Sequence, residues 1–246
     1  PFVSGAAKVI GLAISRRFVV LGAFVSGWDL YVAAINACET FTHVAEVDVT
    51  DVRGVMAATQ ASIEALGGLH GMVANARISG PTKPVWENAI EEWDRVIDVN
   101  LKGPFLCAKH ALIQMQKQGS GNIIMVSSLS GIVSNASQAS YNASKHGVIG
   151  LCKCIAHDHA LEGIRANVGC PGSMKDTAMT ADAPTLLAHF LYARSNFHSL
   201  CSLTSLVAVG DPTPLQVIGS QFHLDSISRE NPDVMHPHLA GDVGQH

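Results

Sequence analysis

The chain has 246 residues, 48% of them apolar and 15% charged, with a formal charge of −4 at neutral pH. That length suits one α/β domain with a large core, and the balance of charge offers no basic field for nucleic acid or an anionic membrane. No apolar stretch reaches the roughly 18 residues of a membrane span, and no secretory signal opens the chain.

Strand and helix patterns alternate along the chain. Phe2 and Val3 read as the end of a first strand, followed by a glycine-containing turn, Ser4 to Gly11, and a helix to about Val20. Ala23–Gly27 reads as a second strand running out at Trp28 and Asp29. Val44–Val47 makes a third ending at Asp48 and Val49, and Leu69–Ala74 a fourth ending at Asn75. A helix from about Trp86 to Val99 runs into a longer one over Leu101 to Met115. From Ile123 to Ser128 an apolar, β-branched run ends in two hydroxyls, the pattern of a buried strand whose tip emerges at the carboxyl edge of a sheet. A helix from Tyr141 to about Leu161, a strand at Ala166–Gly169 and a late strand at Gln221–Leu224 complete the series. Such alternation predicts an α/β fold: a doubly wound, mostly parallel sheet with helices on both faces.

One domain is expected over residues 1–246, with an apolar lid at about 173–215 and a polar tail at about 226–246. The lid segments Ala183–Tyr192 and Leu200–Val207 carry few charges, which suits a hydrophobic or cyclic substrate. Packing into the core or a subunit contact explains the same composition equally well. The six cysteines (Cys38, Cys107, Cys152, Cys154, Cys170 and Cys201) include no Cys-x-x-Cys pair, predicting reduced, mostly buried thiols and a cytoplasmic setting. Cys152 and Cys154 read as helix packing. His157 and His159 point to different faces of their predicted helix, and His236 and His238 lack thiol or carboxylate neighbours at ligand spacing, so no metal is expected.

Four residues carry the candidate chemistry: Asn100, Ser128, Tyr141 and Lys145. Positions four apart share a helix face, so the Lys145 ammonium would lie beside the Tyr141 phenol and lower its usual pKa of about 10. The Ser128 hydroxyl would face them from the tip of its strand. The first turn would offer backbone N–H groups and a helix N-terminus to a pyrophosphate. Asp29, at the end of the second strand, would accept the adenosine ribose hydroxyls and repel a 2′-phosphate, which favours NAD over NADP. Lys8 pulls the other way.

These segments resemble the short-chain dehydrogenase/reductase family from Val3 to about Thr177, with a weaker echo at Val217–Asp225. Ser4-Gly5-x-x-x-Val9-x-Gly11 is similar to the family's Thr-Gly-x-x-x-Gly-x-Gly turn, and Ala74-Asn75-Ala76-Arg77 stands where the family has Asn-Asn-Ala-Gly. The resemblance implies a Rossmann-type fold and NAD(H)-dependent interconversion of a secondary alcohol and a ketone. It implies Asn100, Ser128, Tyr141 and Lys145 as catalytic residues, Asn100 by holding a relay water. Gly5, Lys8, Ile10 and Gly11 would border the pyrophosphate, and Asp29 and Leu30 the ribose. Asp48 and Val49 would contact the adenine, Asn75 would line the crevice, and Tyr141 and Lys145 would hold the nicotinamide ribose. Pro171, Gly172, Met174 and Thr177 would seat the carboxamide. A homotetramer pairing helices around 101–117 and 142–161 is likewise implied.

Three features depart from the family. Val9 and Arg77 replace glycines, and only Pro1-Phe2-Val3 precedes the turn. Either the nucleotide site is weakened or the sequence is incomplete or partly misread. A non-catalytic nucleotide-sensing or scaffold relative that keeps the fold is the alternative reading, while length disfavours the longer epimerase and dehydratase branch.

Overall fold

Side chains of the short strands point alternately to opposite faces of the sheet. In β1 (Phe2–Ser4), Phe2 and Val3 are both fully buried but in separate apolar clusters, as period-two side chains on opposite faces require. In β4 (Gly71–Ala74) Met72 and Val73 divide the same way, and in β5 (Gly121–Val126) Met125 and Val126 do so. A sheet buried on both faces is a parallel sheet covered by helices on each side. The computed structural model describes residues 1–36, 40–172 and 205–208, the last four by their backbone alone.

With β2 (Ser26–Asp29), β3 (His43–Glu46), β6 (Ile164–Cys170) and β7 (Ser205–Ala208), the strand order is β3-β2-β1-β4-β5-β6-β7. The pairs from β3 to β6 are parallel, and β7 runs antiparallel to β6. The chain winds outward from β1 to β3, then returns to lay β4 against the other side of β1. That reversal opens a crevice at the carboxyl ends of β1 and β4, the place where such sheets take ligands.

One face is covered by α1 (Val9–Val20) and α2 (Val32–Asn36), through Ile14, Phe18 and Ile35. The other face meets α3 (Val52–Leu66), α5 (Gly103–Gln118) and α6 (Ala139–His159), through Val55, Leu106, Met115, Val148 and Ile155. There Phe2 stacks on Trp28 at 3.9 Å, and the Trp28 indole N–H donates to Ser62 Oγ at 2.9 Å, so a buried donor is satisfied.

Several boundaries differ from those predicted. The second strand starts at Ser26 rather than Ala23, and the fourth at Gly71 rather than Leu69. The helix expected from Trp86 begins at Ile90 as α4 (Ile90–Ile97), after a single 3₁₀ turn at Val85–Glu87. It then joins α5 through a π turn, Asp98–Lys102. The sequence reading assigned no helix to Val52–Leu66. Its signals were an Asp51 cap that accepts from the Arg53 N–H at 3.0 Å and a closing Gly67 in the left-handed region. Cys152 is buried as expected, but Cys154 is exposed. The expected strand at Gln221–Leu224 lies outside the described residues, and residues 205–208, within the expected lid, pair with β6.

Candidate active site

The floor of the crevice is built by close backbone approach. Gly5 has φ +64°, and a Cβ there would come within 2.9 Å of Ala76 Cα and of Asn75 Nδ2. A Cβ on Gly11 would overlap the Gly5 carbonyl. Asn75 Nδ2 donates to the carbonyls of Ser4 and Gly5, each at 3.0 Å, and Ser4 Oγ accepts from the Asn75 and Ala76 N–H groups at 3.0 and 3.2 Å. The ends of β1 and β4 are thereby stitched together. Val9, the first residue of α1, has φ +46° and is 42% exposed. For a β-branched residue that conformation is strained.

The carboxylate of Asp29 is fixed at the tip of β2, accepting from the Ala7 and Tyr31 N–H groups at 3.1 Å each. It therefore faces the turn, with lone pairs remaining. Lys8 Nζ lies 5.3 Å from the centre of the Tyr31 ring, Ile10 is half-buried and Leu30 is exposed. Asp48 Oδ1 accepts the N–H and O–H of Thr50 at 2.9 and 2.8 Å, closing its own turn, while Val49 is buried.

The predicted catalytic residues gather at the tips of β4 and β5 and the start of α6. Tyr141 and Lys145 are 3% and 1% exposed, and Lys145 Nζ lies 5.8 Å from the Tyr141 ring centre. Lys145 Nζ also donates to the Val126 carbonyl at 2.9 Å. Burial, then the charge of Arg77, lowers the Lys145 pKa to about 7, with Cys170 acting weakly in the opposite direction. Near neutrality the lysine therefore carries its charge only part of the time. Burial also raises the thiol of Cys170.

Ser128 is half-buried and caps a 3₁₀ turn, its Oγ accepting from the Ser130 N–H at 3.2 Å. Its neighbour Ser127, which sequence reasoning did not single out, donates to the Lys145 carbonyl at 2.7 Å. Asn100, fully buried in the π turn, grips Ile78 twice: its Oδ1 accepts the Ile78 N–H and its Nδ2 donates to the Ile78 carbonyl, both at 2.8 Å. Nδ2 also reaches Ser144 Oγ at 3.3 Å, and Ser144 Oγ donates to the Tyr141 carbonyl at 2.7 Å. Asn100 therefore links the loop after β4 to α6, a role spacing did not reveal. Asn142 Nδ2 donates to the Asn135 carbonyl at 2.7 Å, holding the preceding loop on the first turn of α6. The Leu129 N–H donates to the Pro171 carbonyl at 2.9 Å, which brings Pro171 and Gly172 beside Ser128. Met174 and Thr177 lie outside the described residues. Among those described, no group of three or more His, Cys, Asp or Glu is gathered as for a metal ion.

A doubly wound sheet with its glycine turn at the strand reversal and a buried Tyr-Lys pair beside it defines a Rossmann-like α/β protein. The chain belongs to the short chain dehydrogenase family, whose model matches residues 2–186. It is 36% identical over 176 residues to a 2-dehydro-3-deoxy-L-rhamnonate dehydrogenase (NAD(+)) of Sphingomonas sp. (strain SKA58), covering 70% of this chain and 71% of that one. It is 37% identical over 198 residues to the cis-4-hydroxycyclohexanecarboxylate dehydrogenase of Sinomonas cyclohexanicum, covering 78% and 79%. The crystal structure of levodione reductase superposes with a TM-score of 0.71 at 31% identity, covering 79% of this chain and 81% of that one.

Proposed function

We propose that the protein is an NAD(H)-dependent oxidoreductase that interconverts a secondary alcohol and a ketone, with Tyr141 as the general acid and base. The observation that carries this reading is a fully buried lysine one helical turn from a buried tyrosine, at the carboxyl edge of the sheet. An amine held out of water at about 7 is costly to keep, and such groups concentrate at functional sites. The names of the Sphingomonas and Sinomonas relatives, one NAD-linked and one acting on a hydroxylated ring, support NAD and a hydrophobic or cyclic substrate.

The residues present fit a dinucleotide. Gly5 and Gly11 give a turn too tight for side chains, and the first turn of α1 presents N–H groups beside it. Gly5, Lys8, Ile10 and Gly11 would border the pyrophosphate, with Val9 narrowing its berth. Asp29 and Leu30 would border the ribose, where the carboxylate disfavours a 2′-phosphate. Asp48 and Val49 would meet the adenine, and Pro171, Gly172, Met174 and Thr177 the carboxamide. When bound, NAD supplies the hydride acceptor.

In the oxidation direction Tyr141, as phenolate, takes the hydroxyl proton of the alcohol. Lys145 in its charged form stabilises that phenolate and holds the ribose hydroxyls. Ser128, its Oγ already fixed by the Ser130 N–H, donates its own proton to the substrate oxygen and steadies the charge developing there. Asn100 fixes the loop after β4 against α6 and holds the relay water near Lys145. We further propose a cytoplasmic homotetramer. The free thiols among the described residues and the exposed Phe105 and Ile113 on α5 support that setting and that assembly.

A non-catalytic nucleotide-sensing or scaffold relative is the second reading, favoured by the strained Val9 in the phosphate turn. Tyr141→Phe decides between them. It is expected to abolish turnover of hydrophobic secondary alcohols, a loss of roughly a hundredfold or more, while NADH titration by fluorescence stays nearly unchanged. A variant retaining more than about a tenth of the rate refutes the general-base role.

A further inference from the structure

We propose that Ser127 is a positioning residue of this site: with its neighbour Val126 it clamps Lys145 at both ends, so that the tip of β5 sets where the lysine's remaining donors point. The inference rests on the alcohol–ketone reading above and names the residue that orients the lysine of that same site.

Val126 ends β5 and Ser127 stands just beyond it, and the two reach opposite ends of one lysine. The Val126 carbonyl accepts from Lys145 Nζ at 2.9 Å, and Ser127 Oγ donates to the Lys145 carbonyl at 2.7 Å. An ammonium has three donors, so the bond to Val126 leaves two for the crevice. Ser127 is in turn fixed by the sheet, because its own N–H donates to the Gly169 carbonyl of β6 at 2.8 Å. The next residue is Ser128, whose hydroxyl is assigned to the substrate oxygen. A single segment, Val126 to Ser128, therefore carries both anchors of the lysine and the hydroxyl that faces it.

Gly131 shows that the contact is built in. A Cβ there would overlap Ser127 Oγ and come within 2.7 Å of the Lys145 carbonyl oxygen, so the 3₁₀ turn Leu129–Gly131 closes over this bond only because its last residue has no side chain. Ser127 and Lys145 are both buried, and a hydrogen bond kept from water is stronger than one bathed in it. From the other side Asn100 reaches Ser144 at 3.3 Å, and Ser144 Oγ donates to the Tyr141 carbonyl at 2.7 Å. The turn of α6 from Tyr141 to Lys145 is thus gripped twice. A lysine held by its head alone would leave that turn free to shift, and a misplacement of about 1 Å costs on the order of a hundredfold in rate.

Ser127→Ala is compared with the unaltered full chain and with Ser62→Ala, which removes a buried hydroxyl of α3 bonded to Trp28 and Ala58. Lysine isotopically labelled at its ε carbon is incorporated, and the Lys145 resonance, identified by its loss in Lys145→Met, is titrated with pH. Arg77 and Cys170, whose charges act on this amine, and Tyr141, whose ring centre is 5.8 Å away, are kept in the compared proteins. Ser127→Ala is expected to raise the midpoint of the Lys145 titration by about one pH unit, as water reaches the ammonium, and to lower kcat by about tenfold. Ser62→Ala is expected to lower Tm comparably and to move neither. Ser127→Cys, a weaker donor of similar size studied under reducing conditions, should fall between the unaltered chain and Ser127→Ala, and it is read in place of an alanine variant that does not fold. A Ser127→Ala protein that loses stability like Ser62→Ala yet keeps the Lys145 midpoint of the unaltered chain overturns the proposal, because the hydroxyl is then a structural one. So does a Ser62→Ala protein whose Lys145 midpoint moves as far. A midpoint moved only by the Ser127 substitutions, in a protein that turns over no secondary alcohol, upholds the clamp and sinks the alcohol reading. Turnover of a hydrophobic secondary alcohol, with kcat and midpoint both unchanged by Ser127→Ala, does the reverse.

Discussion

Replacing Val9 by glycine is expected to make the protein more stable and better at holding a dinucleotide. At φ +46° the Val9 Cβ is forced against its own backbone, which costs an L-residue about 1–2 kcal/mol, and a branched side chain sits at the upper end. Glycine relieves that strain but loses roughly 0.5–1 kcal/mol through its greater freedom in the unfolded chain. The side chain is 42% exposed, so little apolar burial is forfeited. The net gain is about 1 kcal/mol, equivalent to a rise in Tm of roughly 2–4 °C for a chain of this size. Thermal melts followed by circular dichroism read the stability, and NADH fluorescence titration reads the affinity. Val9→Ala serves as the control, because it removes the branch yet keeps a Cβ in the left-handed region, and it should recover only part of the gain. A Val9→Gly protein that melts no higher, or that binds NADH no more tightly than the unaltered chain, refutes the view that this side chain strains and narrows the phosphate turn.

Lys145 makes stability rise with pH. Its pKa falls from an ordinary 10.5 to about 7 on folding, so between those values the unfolded chain binds more protons. Below about pH 7 both states are charged and the full burial penalty applies. From pH 7 to 9 the stability contributed by this group should grow by about 2 kcal/mol. Lys145→Met should flatten that rise in denaturant melts at the two pH values, and an unchanged slope would mean the amine stays solvated. Asp29→Asn removes the charge facing the adenosine ribose, and the ratio of NADPH to NADH dissociation constants should fall by about tenfold. A constant ratio would place cofactor choice elsewhere, with Lys8 and Tyr31 the nearest residues to examine.

Much of the site was legible because it obeys short-range periodicity. Tyr141 and Lys145 had to share a helix face and Asp29 had to end a strand, and both do; Ser128, expected at a strand tip, lies two residues beyond the end of β5 and caps a 3₁₀ turn. What escaped was decided by tertiary approach. The grip of Asn100 on Ile78 joins residues 22 apart, and the bond from Ser127 to the Lys145 carbonyl joins residues 18 apart. No local pattern marks an asparagine or serine for such partners. Spacing also gave Lys145 its neighbour without its depth, and burial is what changes its charge. The missed α3 is a different failure. Its run of alanines, Thr59 and Ser62 blurs the apolar stripe, although Asp51 and Gly67 bracket it as end signals.

The wide turn at Asp98–Lys102 amounts to one surplus peptide unit in an otherwise regular spiral from Ile90 to Gln118. Each residue advances a helix by about 100°, so excising a single residue there would rotate everything that follows by more than a quarter turn. The amide at position 100 would swing away from Ile78, and Leu106 and Met115 on α5 would turn off the sheet they cover. The spacing between the two lips of the crevice is thus stored in a register offset, and a one-residue deletion would alter that spacing while leaving Tyr141 and Lys145 on their own helix.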